Sequence, residues 1–438
     1  MDAFDRIIGY SKVKGELRQI CDSLRNGEIY AGLGVKAPQG LLLYGEPGVG
    51  KTLMASALIE ECGRPAFICR KDRPDGDFIK AIKETFDRAA EQAPSIVFLD
   101  DMDKFANGDE DHPDAEEYVT VQSCIDTVKG REVYVLATAN DISALPRSLR
   151  RAGRFDRVIE IAAPRGGDAE LITEHFLSSR RFVGDIDPKP IARIMDGRST
   201  AELETVINQA GIYAGYERAE AISMEHFLRA CLKIIFEMDA DGPGREAVPY
   251  EIALHEAGHA VVHEALCPGC VTLVCADSRE GFTHYYRNTE DYRLWMEARI
   301  MGSLAGMAAV EMKTGLQDWG SSSDLDQAFD RVGDLVKNSC VSGFSLHSNG
   351  YNDSGQLRAR QEQAVSAEVE KYYMRTKQIL AANAGFLEAL ARLVMEKGLL
   401  TMEDVSRVRD EAGRAPAGVE RPAAEEAALP AEKPALAA

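Results

Sequence analysis

The sequence lacks an excess of basic residues and lacks any long apolar run, and each absence excludes a class of protein. Lysine and arginine number 51 against 71 aspartates and glutamates, which gives a net charge of −20. This balance argues against general binding to nucleic acid or to an anionic membrane surface. No run of about 18 apolar residues occurs, so we predict no membrane span, while docking on a membrane through a partner stays open.

The sequence also lacks a secretory signal and an even set of cysteines. Its opening stretch, MDAFDRIIGY, has no basic segment followed by an apolar core. The nine cysteines mostly stand singly, which is typical of reduced thiols in a cytoplasmic protein. Cys267 and Cys270 form one C-x-x-C without a second pair, so a structural zinc knuckle there is the less favoured interpretation. We expect a cytoplasmic protein.

The distribution of apolar residues along the 438-residue chain indicates several domains. Short apolar runs at 40–45, 65–69, 95–100 and 132–140 alternate with longer amphipathic segments. This alternation predicts an α/β module in which helices flank a parallel sheet. Helical patterns then continue through the rest of the chain, interrupted by the Gly- and acid-rich stretch DADGPGRE. The predicted division is an α/β domain at 1–167, a helical lid at 168–238, a linker at 239–247, a mostly helical domain at 248–412 and a disordered tail at 413–438.

The stretch GEPGVGKT follows an apolar run and precedes a helical pattern, which is the setting of a P-loop. Its glycines let backbone N–H groups turn inward around phosphate oxygens, and the helix N-terminus adds a favourable dipole. Lys51 supplies a charge to the outer phosphates, and Thr52 places a hydroxyl on Mg²⁺. The sequence therefore predicts a nucleotide–Mg²⁺ site made by Gly45, Pro47, Gly48, Val49, Gly50, Lys51, Thr52 and Leu53.

Polar residues at the ends of later strands extend this prediction. Asp100 ends the run SIVFLD and suits a metal-positioning carboxylate, while Asp101 is placed to orient the attacking water. A pair of helix-capping acids is the alternative. Asn140 ends the next strand and is predicted to contact the γ-phosphate or that water. Arg154 and Arg157 lie too far along the chain to be assigned by spacing, although neighbouring subunits supply such arginines in some NTPases.

A second motif, LHEAGHAVVH, points to metal chemistry. His255 and His259 are four residues apart, so on a helix they share one face and can converge on one Zn²⁺. Glu256 projects to one side, where it can accept a proton from a metal-activated water. The alternative is that these are polar residues on the face of an ordinary helix.

A catalytic zinc site needs a third protein ligand. His263 lies eight residues after His255, about 12 Å along a helix, so it is excluded and reads as a polar-face or supporting residue. His284, His347 and downstream carboxylates stay open. The best carboxylate is Asp324, which opens an amphipathic helical pattern.

These motifs, in this order, resemble those of the FtsH family of AAA+ zinc metalloproteases, from about Phe4 to Asp410. The resemblance implies a homo-hexameric AAA+ ring with a helical lid and a zinc metallopeptidase domain. Such a ring hydrolyses ATP with Mg²⁺, pulls protein substrates through a pore and cleaves them with Zn²⁺. It also implies particular roles for several residues: Ile8 and Gly9 beside the adenine, Asn140 as the sensor, Arg154 and Arg157 as fingers for the neighbour's ATP, and Asp324 in GSSSD as the third zinc ligand.

The sequence departs from the family pattern at three places. The family usually begins with membrane spans, and none is predicted here. Asp101 stands where the family has Glu, and its side chain is about 1.5 Å shorter, which predicts either slower ATP hydrolysis or a backbone shift that compensates. The family's aromatic pore loop is replaced by CRKDRPDGDF at 69–78, where Phe78 is the one nearby aromatic residue and Asp77 is predicted to cap the next helix.

The resemblance favours an ATP-dependent zinc endopeptidase with His255, His259 and Asp324 as ligands and Glu256 as general base. A different class of function stays open beside it. The altered pore loop and Asp101 also fit an ATP-driven remodelling or binding machine with weak or ATP-independent peptidase activity.

Overall fold

The computed structural model describes residues 2–35, 38–71, 78–106, 115–182, 186–238, 247–316, 320–348 and 354–413. The predicted linker up to residue 246, the pore-loop segment 72–77 and the tail from 414 lie outside the described residues. The chain divides into two compact units, Met1–Ala240 and Asp241–Ala438.

The first unit is built on a five-stranded parallel sheet, as the sequence predicts. The strands are β1 Gly40–Tyr44, β2 Ala66–Cys69, β3 Ser95–Leu99, β4 Val133–Ala139 and β5 Arg157–Glu160, in the order β2-β3-β4-β1-β5. The four predicted apolar runs are β1 to β4. The fifth strand was not predicted, because Ile159 is its one buried residue and so it leaves no apolar run.

Helices flank this sheet and then form a separate helical segment. Those of the α/β part are α1 Ser11–Arg25, α2 Gly27–Gly32, α3 Lys51–Cys62, α4 Phe78–Glu91 and α5 Glu116–Thr127. The helical segment that follows β5 contains α6 Gly166–Ser178, α7 Pro188–Ile194, α8 Thr200–Tyr216 and α9 Met224–Ile235. The first turn of α8 is fixed by a capping box between Ser199 and Glu202, which satisfies N–H groups that a helix start leaves without partners.

The carboxyl edge of the sheet holds the phosphate loop. Because parallel strands end at the same edge, the residues after β1, β3 and β4 meet there. Gly45, directly after β1, has φ +149°, and a Cβ atom there would lie 2.1 Å from the carbonyl oxygen of Ile161. Only glycine fits this close approach.

The second unit is mostly helical and carries one small sheet that the sequence did not predict. Its helices are α10 Tyr250–Leu266, α11 Tyr292–Thr314, α12 Ser322–Lys337, α13 Gly355–Ala382, α14 Ala384–Lys397 and α15 Met402–Ala412. The antiparallel strands are β6 Val271–Ala276, β7 Gly281–Tyr285 and β8 Leu399–Thr401, in the order β7-β6-β8. The strand β7 therefore lies at an edge.

Two helices of this unit approach each other closely because glycines line their contact. A Cβ at Gly258 of α10 would lie 2.6 Å from the carbonyl oxygen of Ala305 on α11. Gly302 and Gly306 of α11 in turn face the histidine rings of α10. Side chains at these positions would push the helices apart.

Over the described ranges, no single helix is long and apolar enough to cross a membrane. The helices Gly355–Ala382 and Ala384–Lys397 are, when taken together, long and apolar enough for a membrane span, but they are bent by 82° where they meet. Residues on both sides of that bend, including Leu380 and Leu390, are buried in the core of the second unit.

Candidate functional site

The lysine of the phosphate loop lies at the centre of a polar cluster at the sheet edge. Lys51 Nζ donates to the carbonyl oxygens of Gly45 and Glu46 and to Asn140 Oδ1, over 2.8, 2.8 and 2.9 Å. Burial lowers the pKa of Lys51, while the carboxylates of Asp101 and Asp103 act in the opposite direction. The ammonium is thus held at the mouth of the loop by groups that phosphate oxygens can replace.

The loop backbone has the conformation that anion binding requires. Gly48 and Gly50 have φ values of +80° and +97°, a region that favours glycine. Gly50 directly precedes α3, so the N-terminus of that helix faces the loop. Val49 is buried, and Leu53 is exposed on α3.

The predicted magnesium carboxylate is joined to the loop and to the neighbouring strand. The hydroxyl of Thr52 donates to Asp100 Oδ1 over 3.3 Å, and Thr138 Oγ1 of β4 donates to the same oxygen over 2.7 Å. Asp101 N donates to Thr138 Oγ1 over 2.9 Å. Thr138 therefore fixes both acids, a role that the sequence prediction missed.

The side chain of Asp101 is held by cations. Its φ is +54°, and Lys104 Nζ donates to Asp101 Oδ2 over 2.7 Å. Arg70 lies 3.9 Å from the same oxygen and 3.8 Å from Asp100 Oδ2. Two positive side chains thus flank the acid that was predicted to orient water.

Asn140 is brought to the loop as predicted for a sensor. Besides accepting from Lys51, it donates its backbone N–H to Asp103 Oδ1 over 2.9 Å and its side-chain amide to Asp103 Oδ2 over 3.3 Å. Asp103 was not predicted. The sequence feature that could have identified Asp103 is its position in the acidic run after β3.

The remaining predicted nucleotide residues lie in other surroundings. Arg154 is bound within its own unit, donating to Asp126 Oδ2 over 2.8 Å and to Gln122 Oε1 over 2.8 Å. Hydrogen bonds from Arg154 and Lys129 lower the pKa of Asp126 to about 2. Arg157 is exposed at the start of β5.

Ile8 and Gly9 precede α1. Ile8 is half-buried, and Gly9 is buried with φ +69°. The next backbone N–H, that of Tyr10, donates to Asp168 Oδ1 over 2.9 Å. This bond ties the predicted adenine segment to the first turn of α6.

In the second unit, the structure brings together the three predicted zinc ligands. Asp324 Oδ2 lies 3.2 Å from His255 Nε2 and 3.2 Å from His259 Nε2, and the two Nε2 atoms are 2.9 Å apart. Asp324 stands in the first turn of α12, whereas both histidines lie on α10. Burial raises the pKa of Asp324, but hydrogen bonds from the two histidines outweigh it and leave that pKa below its usual value.

This arrangement fits a zinc ion. Ligand atoms at Zn–N and Zn–O distances near 2.0–2.2 Å in a tetrahedron lie about 3.3 Å apart, close to the separations between Asp324 and the histidines. His259 Nδ1 donates to the carbonyl oxygen of Gly302 over 2.7 Å, so in the neutral ring the Nε2 lone pair is available for a metal in place of the hydrogen bond to Asp324. Such a bond behind the ligating nitrogen is the usual support of a metal-bound histidine.

Glu256 lies beside this cluster in the same cleft, whose volume is about 330 Å³. Thr283 of the edge strand β7 donates its hydroxyl to Glu256 Oε2 over 2.8 Å. Gly281 of the same strand leaves the room that the glutamate needs, since a Cβ there would lie 2.7 Å from Glu256 Cγ. Burial raises the pKa of Glu256, which favours a carboxylate that can take up a proton. Neither Thr283 nor Gly281 was predicted.

The other candidate ligands lie elsewhere. His284 Nδ1 bonds Thr272 Oγ1 over 2.6 Å, and His347 Nδ1 bonds the carbonyl oxygen of Lys337 over 3.1 Å. His263 is not on a polar face: it is buried and stacks on Tyr285 with ring centroids 3.7 Å apart. Burial lowers its pKa to about 3.

The thiols of Cys267 and Cys270 are free and buried. Across the described part of the chain, His255, His259 and Asp324 are the one group arranged to hold a metal. A zinc knuckle at the C-x-x-C is therefore not supported.

Phe78, the aromatic residue nearest the predicted pore loop, begins α4 as predicted but is buried. Its ring meets that of Phe105 edge-on with centroids 4.8 Å apart. It is therefore part of the core rather than of an exposed loop. Asp77, its predicted cap, lies outside the described residues.

Comparison with known proteins yields two family matches and a set of relatives that align with most of the chain. Residues 41–163 match the "ATPase family associated with various cellular activities (AAA)", and residues 246–408 match "Peptidase family M41". The chain is 30% identical to the ATP-dependent zinc metalloprotease FtsH of Pelobacter propionicus over 93% of its own length and 70% of that protein. It is 29% identical to FtsH 2 of Symbiobacterium thermophilum, covering 92% and 74%, and 29% identical to FtsH 3 of Sphaerobacter thermophilus, covering 90% and 85%.

Proposed function

Because the chain belongs to the FtsH family of ATP-dependent zinc metalloproteases, we propose that it is an ATP-dependent zinc endopeptidase that unfolds and degrades protein substrates. The observation that carries the peptidase assignment is the convergence of His255, His259 and Asp324 beside Glu256 in one cleft. Its cofactors are Zn²⁺ and ATP with Mg²⁺.

The peptidase chemistry is assigned to four side chains. His255, His259 and Asp324 would hold Zn²⁺, which would supply Lewis-acid polarisation of the scissile carbonyl and of water. Glu256 accepts a proton from the attacking water as its oxygen bonds to the carbonyl carbon. It then delivers that proton to the amide nitrogen as the C–N bond breaks. Thr283 holds the carboxylate in the required orientation.

The edge strand β7 is the surface on which the substrate backbone would align. An extended peptide can add to a sheet edge through main-chain hydrogen bonds. Thr283 of β7 bonds Glu256 directly, so a peptide that pairs with this strand runs past the general base. This alignment places the scissile bond by backbone contacts and leaves side-chain selection to the rest of the cleft.

The nucleotide chemistry is assigned to the sheet edge of the first unit. Lys51 would bind the outer phosphates, Thr52 and Asp100 would hold Mg²⁺, and Asp101 would orient the attacking water. The bond between Lys51 and Asn140 supports the sensor role of Asn140. Ile8 and Gly9 contact the adenine, and Arg154 and Arg157 act on the ATP of the neighbouring subunit.

The assembly and its location are part of the same proposal. FtsH-type AAA proteins are typically hexamers, which supports a homo-hexamer. The domains are the nucleotide-binding domain 1–167, the lid 168–238, the linker 239–247 and the peptidase domain 248–412. We place the protein in the cytoplasm because ATP is supplied there.

The comparisons do not favour the remodelling or binding machine with weak peptidase activity. Degradation of unfolded casein with zinc, in the presence and absence of ATP, separates the two functions. We expect ATP to accelerate degradation by wild type. The variant Glu256→Gln should lose the 10²- to 10⁴-fold contribution of a general base while its ATPase rate is kept. Casein cleavage that survives this change contradicts the peptidase assignment.

A further inference from the structure

An arginine without an assigned catalytic role bonds two residues that line one wall of the cleft of the proposed zinc site. Arg331 lies on α12, seven residues after Asp324. Its Nη1 donates to Ser303 Oγ of α11 over 2.6 Å, and its Nη2 donates to Gln327 Oε1 over 2.7 Å. Ser303 and Gln327 both line the cleft that contains Glu256 and the metal cluster.

Arg331 determines what this wall can offer a ligand. Its guanidinium donates to the hydroxyl oxygen of Ser303 and to the amide oxygen of Gln327, so both oxygens are already engaged as acceptors. Across the described ranges, neither side chain donates a hydrogen bond. Ser303 therefore has its O–H, and Gln327 its NH₂ group, to offer to the cleft. The wall presents donors, so it matches a ligand that carries acceptor oxygens.

The charge of this wall is not balanced by a nearby acid. In the part of the chain that the structure describes, no carboxylate lies at ion-pair distance from Arg331 or from Arg299, whose carbonyl oxygen also accepts from Arg331 over 3.4 Å. Burial lowers the pKa of Arg331, and the charge of Arg299 adds to that effect. Tyr285, Asp324 and Asp330 act on the pKa of Arg331 in the opposite direction, but neither acid lies at ion-pair distance, and Asp324 is itself bonded to both histidines.

A partly buried guanidinium whose hydrogen-bond partners are all neutral favours an anionic ligand, because the charge has lost water without gaining an ion pair. The chain as a whole carries a net charge of −20, so this positive wall is a local feature. Salt largely screens the interaction between charges that are more than about 10 Å apart. The nearby charge of Arg331 therefore affects a ligand in the cleft more than the distant acids do.

We propose that Ser303, Gln327 and Arg331 form a subsite for an acidic substrate side chain, aspartate or glutamate, next to the scissile bond. Ser303 and Gln327 donate to the carboxylate, and Arg331 is the positioning residue that orients both donors and supplies the charge. The proposal rests on the peptidase function proposed above. In this proposal, β7 aligns the backbone of the substrate, and the subsite adds a preference for an acidic side chain.

Binding to an inactive full-length chain tests the subsite without requiring turnover. A fluorescent peptide carries one glutamate moved along an otherwise neutral sequence, and its twin carries glutamine at the same position. Anisotropy measures both affinities for the zinc-loaded Glu256→Gln chain. We expect about tenfold tighter binding of the glutamate peptide at one position, as charge-assisted hydrogen bonds give. Equal affinities at every position overturn the proposal.

Two variants in the Glu256→Gln background assign the preference to this wall. Arg331→Met removes the charge and should abolish the difference between the twin peptides. In Gln327→Glu, the new carboxylate pairs with Arg331. Because Gln327 is exposed, this variant should fold normally, and it should bind the glutamine peptide more tightly than the glutamate peptide. The control Arg358→Met removes one positive charge at an exposed position of α13 and should leave the preference intact. A preference that survives both changes at the wall overturns the proposal.

Cleavage by the chain with Glu256 intact separates this proposal from the proposed function. The ratio of kcat/KM for the twin peptides should follow the ratio of their affinities and disappear in Arg331→Met. A chain that cleaves neither twin contradicts the peptidase function, while the binding comparison still decides the subsite. A chain that cleaves both twins equally contradicts the subsite alone.

Discussion

The Cα atom of Gly306 lies against the imidazole ring of His255, and a Cβ atom at that position would come within 2.5 Å of His255 Nε2. The nitrogen involved is the one that faces His259 and Asp324. The packing of α10 on α11 therefore fixes not only the core of the second unit but also the position of a proposed metal ligand.

We expect Gly306→Ala to destabilise the second unit and to weaken zinc binding. The added methyl group must displace either the ring or the helix, and overpacking of a core typically costs 1–3 kcal/mol. Gly333→Ala is a matched control, since a Cβ there meets nothing closer than Lys337 Nζ at 3.9 Å. That change should stabilise α12 by about 0.5–1 kcal/mol. Thermal unfolding and zinc titration check both variants, and equal behaviour would contradict the contact.

Zinc should raise the unfolding temperature of the wild-type chain and have little effect on Asp324→Asn. A ligand at 100 times its dissociation constant stabilises the folded state by about 2.7 kcal/mol, and the substitution removes the charged ligand. Asp326→Asn is the control, because Asp326 is exposed on the same helix and outside the cluster. The measurement is calorimetry with and without zinc. An Asp324→Asn chain that responds to zinc like wild type would exclude Asp324 as a ligand.

Thr283→Val should lower kcat by about tenfold and leave zinc content unchanged. The substitution keeps the shape of the side chain but removes the hydrogen bond that orients Glu256, and a bond to a charged group contributes about 1.5–3 kcal/mol. Steady-state cleavage of a peptide measures kcat and KM, and metal analysis gives the zinc content. An unchanged kcat would mean that Glu256 is positioned without Thr283.

Asp101→Glu should raise the ATPase rate. The longer side chain reaches about 1.5 Å further, and a misplacement near 1 Å at a reacting centre costs on the order of 10²-fold. The measurement is phosphate release with saturating ATP, and Lys51→Ala gives the baseline without hydrolysis. A rate that does not change means that Asp101 is not the group that positions water.

Most of the first unit could be predicted from the sequence because three of its strands are almost entirely buried. The runs that become β1, β3 and β4 are mainly apolar, as expected for strands covered on both faces. Strand β2 has two buried residues out of four, and β5 has one. The strand conformation of β5 follows from pairing with β1, a tertiary cause that leaves no local pattern.

The cluster of three proposed metal ligands could be predicted because helical spacing and the family resemblance select His255, His259 and Asp324, which the structure brings together. The supporting residues could not. Thr138 and Thr283 act through side-chain bonds to residues distant in sequence, and a lone threonine in a strand gives no local signal. Of the two interpretations of His263, that of a residue on a polar face was wrong, because spacing places it on α10 but does not reveal that Tyr285 covers it. The interpretation as a supporting residue stays a prediction.

Gly48 of the phosphate loop accepts a hydrogen bond from the backbone N–H of Ala201 over 3.2 Å, and a Cβ at Gly48 would collide with the Ala201 methyl group at 2.7 Å. The phosphate loop and the first turn of α8 are therefore in direct, close-packed contact. The capping box of Ser199 and Glu202 fixes the backbone at the N-terminus of α8. A displacement of the phosphate loop would therefore act on the first turn of α8 through direct contact, without an intervening side chain.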